Sequence, residues 1–395
     1  MRIEVGYIPA IEGLRGVAVL WVVLFHYAVV RGGQFADPYV SWIDGSLPLK
    51  VFVRNGFLGV DLFFLITGFL LTLPWFKHAR EGRPHPSARE FYVRRARRIL
   101  PAYYVQLAVL FLVFLPLLHP GLWRIEPGLV LTNLGLHSVF LHYTTPYTSA
   151  SLGINGALWT LGLEMQYYLI LPLLGPWFSR TPYIAAATLL AASVVWKAMA
   201  LHDLEPLIAI YNAIGARWNP SEAAVRHLAG TQLPAYLGHF ALGILCGRVW
   251  LACRAKPGGR TRTILSAVLA AGSVLILYAA LAGYAAPMGE YAWIVIPAAM
   301  ATTMWAAVSL SPTWGTKLLG VRPLAFTGRV SYSMYLYHLP LVMLFNQIVP
   351  PTLGALALPC YLGLLYLVSA ASYRFVERPF MRASLTQARA AAVTS

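Results

Sequence analysis

The segment Ile8–Val30, IPAIEGLRGVAVLWVVLFHYAVV, decides the fold class of this chain. It is almost entirely apolar and has the length that a helix needs to cross a hydrocarbon core about 30 Å thick. Similar stretches recur along the 395 residues, of which 58% are hydrophobic and 11% charged, whereas a soluble globular chain carries about 25% charged residues. The sequence therefore predicts an all-α polytopic membrane protein. It excludes a soluble domain and a nucleic-acid-binding module, despite a net charge of +16.

Ten apolar stretches are long enough to be membrane spans. They are Ile8–Val30, Phe57–Phe76, Ile99–Leu118, Trp159–Phe178, Tyr183–Leu201, Leu233–Ala252, Ile264–Gly283, Trp293–Leu310, Pro323–Val349 and Leu353–Phe375. We expect a single membrane domain over residues 1–382 and a disordered cytoplasmic tail over residues 383–395, with no soluble domain appended.

Loop charge predicts the topology. The loop Lys77–Arg98 holds eight Lys and Arg residues against two Glu, so we place it and the N-terminus in the cytoplasm. A further apolar stretch, Leu129–His142, is shorter. If it crossed the membrane, the basic segments at 254–262, 317–322 and 378–382 would face outside. We therefore predict about ten spans, with both termini cytoplasmic and with Leu129–His142 as one short re-entrant or outer-face helix.

The first predicted helix carries three ionisable residues, Glu12, Arg15 and His26. Arg15 and His26 are eleven positions apart, which places both on one helix face and about 16 Å apart along the axis. Glu12 can pair with Arg15 one turn away. Ionisable groups inside a membrane are costly and mark functional sites by default. Either this face looks into a polar cavity, or it holds an ion pair and a packed histidine.

Carboxylates near the starts of two other spans complete the ionisable pattern. Asp61 and Glu164 belong to helices predicted to run inward, so we expect both at the depth of His26. A histidine beside a carboxylate can act as a general base with an orienting partner. Four arginines are expected to gather toward the inner face: Arg15, Arg95, Arg98 and Arg329. This pattern favours an anionic cytoplasmic molecule at the inner mouth and an acid–base centre above it.

Six motifs, in chain order, resemble those of the membrane-bound acyltransferase-3 family. They are Arg15 and His26 with ten residues between them, Gly59–Phe69, Phe91–Pro101 with Arg95 and Arg98, Trp159-Thr160-Leu161 followed by Glu164, Gly328–Pro340 with His338, and Glu377-Arg378-Pro379. Thr67 stands where the family more often has serine. The first motif alone is weak, but six in order are specific, and together they run from Tyr7 to Pro379.

The resemblance implies transfer of an acyl group, often acetyl, from acyl-coenzyme A to a hydroxyl. It implies that His26 is the central catalytic residue and that Arg15 is its partner. Asp61 and Glu164 are expected to assist, either by fixing the tautomer of His26 or by binding the acceptor. We expect the donor phosphates to be held by Arg15, Arg95, Arg98 and Arg329. We expect substrate contacts from Trp159, Tyr168 and His338, and no metal.

The acceptors that the resemblance implies are sugars of exported polysaccharide, lipopolysaccharide or peptidoglycan at the bacterial inner membrane. Acylation of a small-molecule glycoside such as a macrolide is an alternative. A transporter for a glycolipid or an anionic solute is a second alternative from another class, because ten helices with buried charges also fit it. The sequence leaves open whether His26 accepts the acyl group transiently or deprotonates the acceptor, and it leaves the oligomeric state open.

Overall fold

The computed structural model describes residues 8–32, 37–149, 151–214, 221–254, 259–283, 292–309 and 314–381. Across these residues the secondary structure is helical and contains no strand. The expected membrane domain, residues 1–382, is described over most of its length. The expected tail, residues 383–395, lies outside the described residues.

Ten long helices, numbered α1 to α10, make up most of the described chain. They are α1 Pro9–Gly32, α2 Gly59–Arg80, α3 Ala88–Val109, α4 Trp159–Arg180, α5 Pro182–His202, α6 Leu233–Arg254, α7 Arg260–Leu281, α8 Ala292–Ser309, α9 Arg322–Ile348 and α10 Ala357–Ser372. Two of them are prolonged by a π-helical turn. Helix α3 continues through Leu110–Phe114 to Leu118, and α10 continues through Tyr373–Glu377.

Nine of these helices, in the part of the chain that the structure describes, are long and apolar enough to cross a bilayer. The remaining one, α9, has 27 residues and is therefore about 40 Å long, but its serines, tyrosines and His338 make it less apolar. Ser331, Ser333 and His338 are buried within the bundle, so the polar face of α9 is shielded from lipid. The structure confirms an all-α polytopic fold with about ten spans.

The stretch Leu129–His142 forms a short helix, Pro127–Ser138, followed by a 3₁₀ turn, His142–Thr144. Twelve residues give a length of about 18 Å, too short for a hydrocarbon core of about 30 Å. The helix buries one face against α3, where the Tyr103 hydroxyl donates a hydrogen bond to the His137 carbonyl, 2.8 Å away. This stretch therefore contains the predicted short helix, which packs one face against the bundle and exposes the other; its re-entrant or outer-face position stays a prediction.

Contacts between α1 and α9 support the predicted number of crossings. Arg15 contacts Ser331, and His26, eleven residues further along α1, contacts His338. The two helices therefore run in the same direction. Seven long helices, α2 to α8, lie between them in the chain, and an odd number of crossings returns the chain to the same direction. If Pro127–Ser138 also crossed the membrane, α9 would run in the opposite direction to α1.

Glycines allow the central helices to touch through their backbones. A Cβ atom on Gly328 of α9 would overlap the Glu12 carbonyl oxygen of α1, and one on Gly13 would overlap the Leu319 carbonyl oxygen. Helices α2 and α6 meet in the same way at Gly68 and Gly243. Small residues at helix interfaces let membrane helices approach closely. The α1–α9 contact matters most for the site, because it fixes which α9 side chains face Arg15 and His26.

Helix α3 begins at Ser87, whose hydroxyl oxygen accepts a hydrogen bond from the Glu90 backbone N–H at 3.3 Å. This cap starts the helix seven residues before its cluster of arginines. Arg95 and Arg98 are three positions apart and therefore share a helix face, which is turned toward α1, α2 and α4. Arg94 lies on the exposed side and pairs with Glu90 at 3.1 Å. One basic stretch thus supplies both inward-facing and surface arginines.

Replacing Gly328 with alanine is expected to destabilise the bundle by about 1–3 kcal/mol, because the added methyl group overfills a packed backbone contact. The measurement is the thermal unfolding temperature of detergent-purified protein. Gly272→Ala on α7 is the matched control, because a Cβ there meets no atom within 4 Å. An unchanged unfolding temperature for Gly328→Ala would contradict the close α1–α9 contact.

Candidate active site

Four cavities follow one another through the bundle. The basic mouth, about 1130 Å³, is lined by Glu12, Arg15, Lys77, Arg83 and Arg98 among others. The arginine cavity, about 850 Å³, is lined by residues that include Arg15, Arg95, Arg98, Glu164 and Tyr168. The histidine cavity, about 1100 Å³, is lined by residues that include His26, Asp61, Trp159 and Tyr236. The lysine cavity, about 580 Å³, is lined by residues that include Asp61, Lys197, Tyr236, His239 and Trp293.

Consecutive cavities share lining residues. Arg15 and Arg98 line both the basic mouth and the arginine cavity. Val60 and Tyr335 line both the arginine and the histidine cavities. Asp61 is among the residues common to the histidine and lysine cavities. The face of α1 that carries Arg15 and His26 therefore looks into a row of cavities that charged and aromatic side chains line, and not into lipid, which favours the first of the two interpretations of that helix.

Arg15 is held in place from two sides. Its Nη1 donates to Glu12 Oε1 at 3.2 Å, which confirms the expected pair one turn apart, and its Nη2 donates to the Ser331 hydroxyl at 3.0 Å. Glu12 lies on the same helix and Ser331 on α9, so the α1–α9 contact fixes the guanidinium. The remaining N–H groups of Arg15 are left to face the cavities.

Arg95 and Arg98 form no ion pair or hydrogen bond with the described residues. The Arg95 guanidinium lies over the Phe91 ring, 6.0 Å from its centroid, and its Nε is buried without a partner. Guanidinium groups make planar, charge-assisted hydrogen bonds to phosphates and carboxylates. Two such groups beside Arg15 in one cavity are suited to a ligand with several negative charges.

His26 contacts a second histidine that is fully buried behind it. The Nδ1 of His338 lies 2.8 Å from the Tyr335 carbonyl oxygen, which can only accept, so this nitrogen carries the proton. The neutral His338 ring then accepts at Nε2, which lies 3.1 Å from His26 Nδ1. His26 Nδ1 also lies 3.0 Å from the Val22 carbonyl oxygen and is therefore the protonated nitrogen of its ring. This assignment rests on the hydrogen-bond pattern.

The protonation of His26 at Nδ1 determines the state of the other ring nitrogen, Nε2. With Nδ1 protonated and engaged by Val22 and His338, Nε2 of the neutral ring holds a lone pair. It has no hydrogen-bond partner among the described residues, and the ring lines the histidine cavity. An imidazole with one nitrogen anchored and the other available as an acceptor is the arrangement that a general base requires.

The structure corrects the expected role of Asp61. Its carboxylate lines the histidine cavity at the predicted depth, but Oδ1 lies 3.2 Å from His239 Nε2 on α6. The hydrogen bonds of His26 go instead to Val22 and His338. The orienting contact that was expected from a carboxylate is thus supplied by an imidazole, while Asp61 remains available to an acceptor between two cavities.

Glu164 also differs from its expected place, because it lines the arginine cavity and not the histidine cavity. Its Oε1 accepts a hydrogen bond from the Thr67 hydroxyl at 3.0 Å. Thr67 lies six residues beyond Asp61 on α2, about 9 Å deeper along that helix. Glu164 is therefore level with the tips of the long arginine side chains, where it offsets part of their positive charge.

The structure also shows where four further predicted site residues lie. Arg329 is exposed on α9, with its guanidinium 5.8 Å from the Phe326 ring centroid, and lines none of the four cavities, so its expected place in the arginine cluster is wrong. His338 is fully buried, lines none of the four cavities and contacts His26; its expected substrate contact stays a prediction. Trp159 lines the histidine cavity and Tyr168 the arginine cavity, and their substrate contacts stay predictions.

The sequence reasoning missed several partners on other helices. Ser331 belongs to a quoted motif, yet only the α1–α9 register shows that it meets Arg15. Thr67 had been noted only as a departure from the family pattern, and it proves to hold Glu164. His239, on α6, contacts Asp61, and no sequence spacing connects these two residues. Among the described residues no group of three or more His, Cys, Asp or Glu side chains could hold a metal ion, and the expected absence of a metal stays a prediction.

Comparison with known proteins gives a family match over nearly the whole chain. A model described as an acyltransferase domain matches residues 8–374. No solved structure gives a significant match.

Curated relatives that the chain resembles are also named as acyltransferases. Peptidoglycan O-acetyltransferase OatA of Listeria monocytogenes is 26% identical over 392 residues, which cover 95% of this chain and 56% of that protein. A Bacillus subtilis protein, YrhL, provisionally named a peptidoglycan O-acetyltransferase, is 26% identical over 94% of this chain and 55% of its own length. A Staphylococcus aureus protein provisionally named an O-acetyltransferase is 24% identical to this chain. The matched region covers 95% of this chain and 58% of that protein. The chain thus spans a little more than half the length of these relatives.

Proposed function

Because the chain belongs to the acyltransferase family whose model covers residues 8–374, we propose that it is a membrane O-acyltransferase. It moves an acyl group, most simply acetyl, from cytoplasmic acyl-coenzyme A to a sugar hydroxyl of an exported or surface glycan. The observation that carries this proposal is the row of connected cavities, with unpaired guanidinium groups toward one end and the acceptor nitrogen of His26 further along.

The charge distribution supports coenzyme A as the donor. Coenzyme A carries several phosphate charges, and the arginine cavity offers Arg95 and Arg98, to which no carboxylate of the described residues is bound. The basic mouth adds Lys77 and Arg83 on the side where the chain is most basic. The positive-inside rule puts that side in the cytoplasm, where coenzyme A is made. In this orientation both termini are cytoplasmic and the protein lies in the bacterial inner membrane.

The chemistry follows from the lone pair on His26 Nε2. The acceptor hydroxyl binds in the histidine cavity, and its O–H bond breaks as Nε2 takes the proton. The acceptor oxygen bonds to the acyl carbon, the carbon–sulfur bond of the thioester breaks, and the imidazolium returns the proton to the leaving thiolate. The same lone pair serves a two-step route in which His26 takes the acyl group first, and a burst of thiol release before ester formation separates the two routes.

The acceptor is inferred from the relatives and from the walls of the histidine cavity. Two relatives carry names that specify peptidoglycan. Trp159 and Tyr236 line the cavity with their rings 5.4 Å apart, and aromatic rings beside a carboxylate suit a sugar, which has apolar C–H faces and hydroxyl donors. We therefore infer a glycan acceptor.

The direct test uses the full chain purified in lipid nanodiscs with acetyl-coenzyme A and cell-wall glycan fragments. Free thiol release and a mass increase of one acetyl group on the glycan are expected together. A transporter would give neither product. If thiol is never released above the rate without protein, the proposed activity is wrong.

His26→Ala is expected to lower the transfer rate by at least about 100-fold, because general-base catalysis contributes roughly 10²–10⁴. Transfer is measured by thiol release, and the unfolding temperature of each variant is measured in parallel. His85→Ala is the control, since His85 is exposed in the loop before α3 and its loss should leave the rate unchanged. Full activity of a folded His26→Ala protein would reject the catalytic role.

Replacing both Arg95 and Arg98 with alanine is expected to raise the KM for acetyl-coenzyme A about 10- to 100-fold, because a charge-assisted hydrogen bond contributes about 1.5–3 kcal/mol. The KM for the glycan should change little. Arg94→Ala is the matched control, because Arg94 lies on the same helix but pairs with Glu90 at the surface. A donor KM that is equal in the double variant and the control would count against phosphate binding here.

His338 offers a test of positioning by two amides of different length. The Gln side chain in His338→Gln can place an oxygen where Nε2 accepts from His26, whereas Asn in His338→Asn is too short. We expect His338→Gln to keep more of kcat than His338→Asn, by about 10-fold, the effect of roughly one hydrogen bond, with the donor KM unchanged in both. Equal kcat values in the two variants would mean that His338 only fills space.

A further inference from the structure

The lysine cavity is not used by the chemistry described above. It joins the histidine cavity through three shared residues, Phe57, Asp61 and Tyr236. A molecule whose hydroxyl lies at His26 can therefore extend past Asp61 into the lysine cavity. The empty space there, about 580 Å³ including the solvent at its opening, leaves room for a further part of a sugar acceptor.

Lys197 supplies a cation that no protein carboxylate binds. Its Nζ lies 5.4 Å from the Trp293 ring centroid and 5.6 Å from that of Tyr236, and it makes no ion pair with the described residues. The carboxylate on this cavity, Asp61, contacts His239 at 3.2 Å. Contacts with two aromatic rings stabilise an ammonium group, but they do not use its N–H donors, which remain available to a ligand in the cavity.

Two other polar groups on the same cavity are buried without partners. Trp293 Nε1, a donor, has no acceptor among the described residues. His239 is 3% exposed, and its Nδ1 is likewise unpartnered. Buried polar atoms are nearly always hydrogen-bonded in folded proteins, and leaving one unpaired costs about 1–3 kcal/mol. Two buried polar groups without a partner, together with the partly exposed cation of Lys197 on the same cavity, indicate the place of a ligand.

Resting on the proposed function, we propose that the lysine cavity binds an anionic group of the acceptor, a carboxylate or a phosphate, while the acceptor hydroxyl lies at His26. Lys197 and Trp293 donate to the anion, and the rings of Tyr236 and Trp159 contact the sugar between the two ends. The acceptor is thereby an acidic glycan or a glycosyl phosphate, and the distance between its anion and its reacting hydroxyl selects the position that is acylated.

The test compares sugars that differ only in charge. Binding to the full chain in nanodiscs is measured for N-acetylmuramic acid against its methyl ester, and for N-acetylglucosamine 1-phosphate against N-acetylglucosamine. We expect the acidic member of at least one pair to bind at least about 10-fold more tightly, which corresponds to about 1.4 kcal/mol. The pair that shows the preference identifies the anion as a carboxylate or a phosphate.

Variants of Lys197 assign that preference to the cavity. Lys197→Met is expected to remove the difference between acidic and neutral sugars, and Lys197→Arg to keep most of it. Lys50→Met is the control, because Lys50 is exposed on the short helix Leu47–Arg54, and it should keep the full preference. Equal binding of both members of each pair by the unsubstituted protein would overturn the proposal, as would an equal loss for acidic and neutral sugars in Lys197→Met.

Thiol release from acetyl-coenzyme A, measured on the same preparations with cell-wall glycan, separates the two proposals. Thiol release without any charge preference overturns only the role of the lysine cavity. A charge preference without thiol release or acetylated glycan overturns the proposed enzymatic function and leaves a binding site for acidic sugars.

Discussion

The cost of placing a guanidinium and an imidazole on one face of a membrane helix determines much of this structure. Arg15 and His26 on α1 must meet polar partners, because lipid offers none. Helix α9 supplies both partners, Ser331 and His338. It can do so because glycines on the two helices allow their backbones to touch. Among the long helices described, α9 is the one that lacks the apolar character of a candidate membrane span, and its Ser331 and His338 are buried against α1.

Hydropathy and loop charge were enough to predict the helical architecture. The number of spans, the short helix near residue 130 and the pairing of Glu12 with Arg15 all follow from segment length, charge and helical spacing. The two contacts between α1 and α9 then add an independent argument, since their order shows that the helices run in parallel. What periodicity does not contain is the register between helices, and the glycine contacts set that register.

The site was predicted less completely than the fold, because the sequence does not show the register between helices. The sequence correctly predicted that Arg15, His26 and Asp61 face a cavity. The contacts predicted for the two carboxylates were wrong, because a carboxylate near the start of a helix can contact any group at the same depth on a neighbouring helix. Asp61 meets His239, and Glu164 lies among the arginines. Arg329 shows that a basic residue near a helix end can remain on the outside of the bundle.

The pair of histidines ends at a backbone carbonyl. The Tyr335 carbonyl oxygen accepts a hydrogen bond from His338 Nδ1 and has no proton of its own to donate. The chain of hydrogen bonds therefore ends there and cannot conduct protons. In the proposed reaction His338 therefore offers no exit for the hydrogen taken from the alcohol, and that hydrogen ends on the sulfur of the departing carrier. Each turnover of this proposed reaction exchanges one acyl group for one hydrogen between sulfur and oxygen. Such an exchange moves no net charge, so under this mechanism the membrane voltage would neither drive nor oppose it.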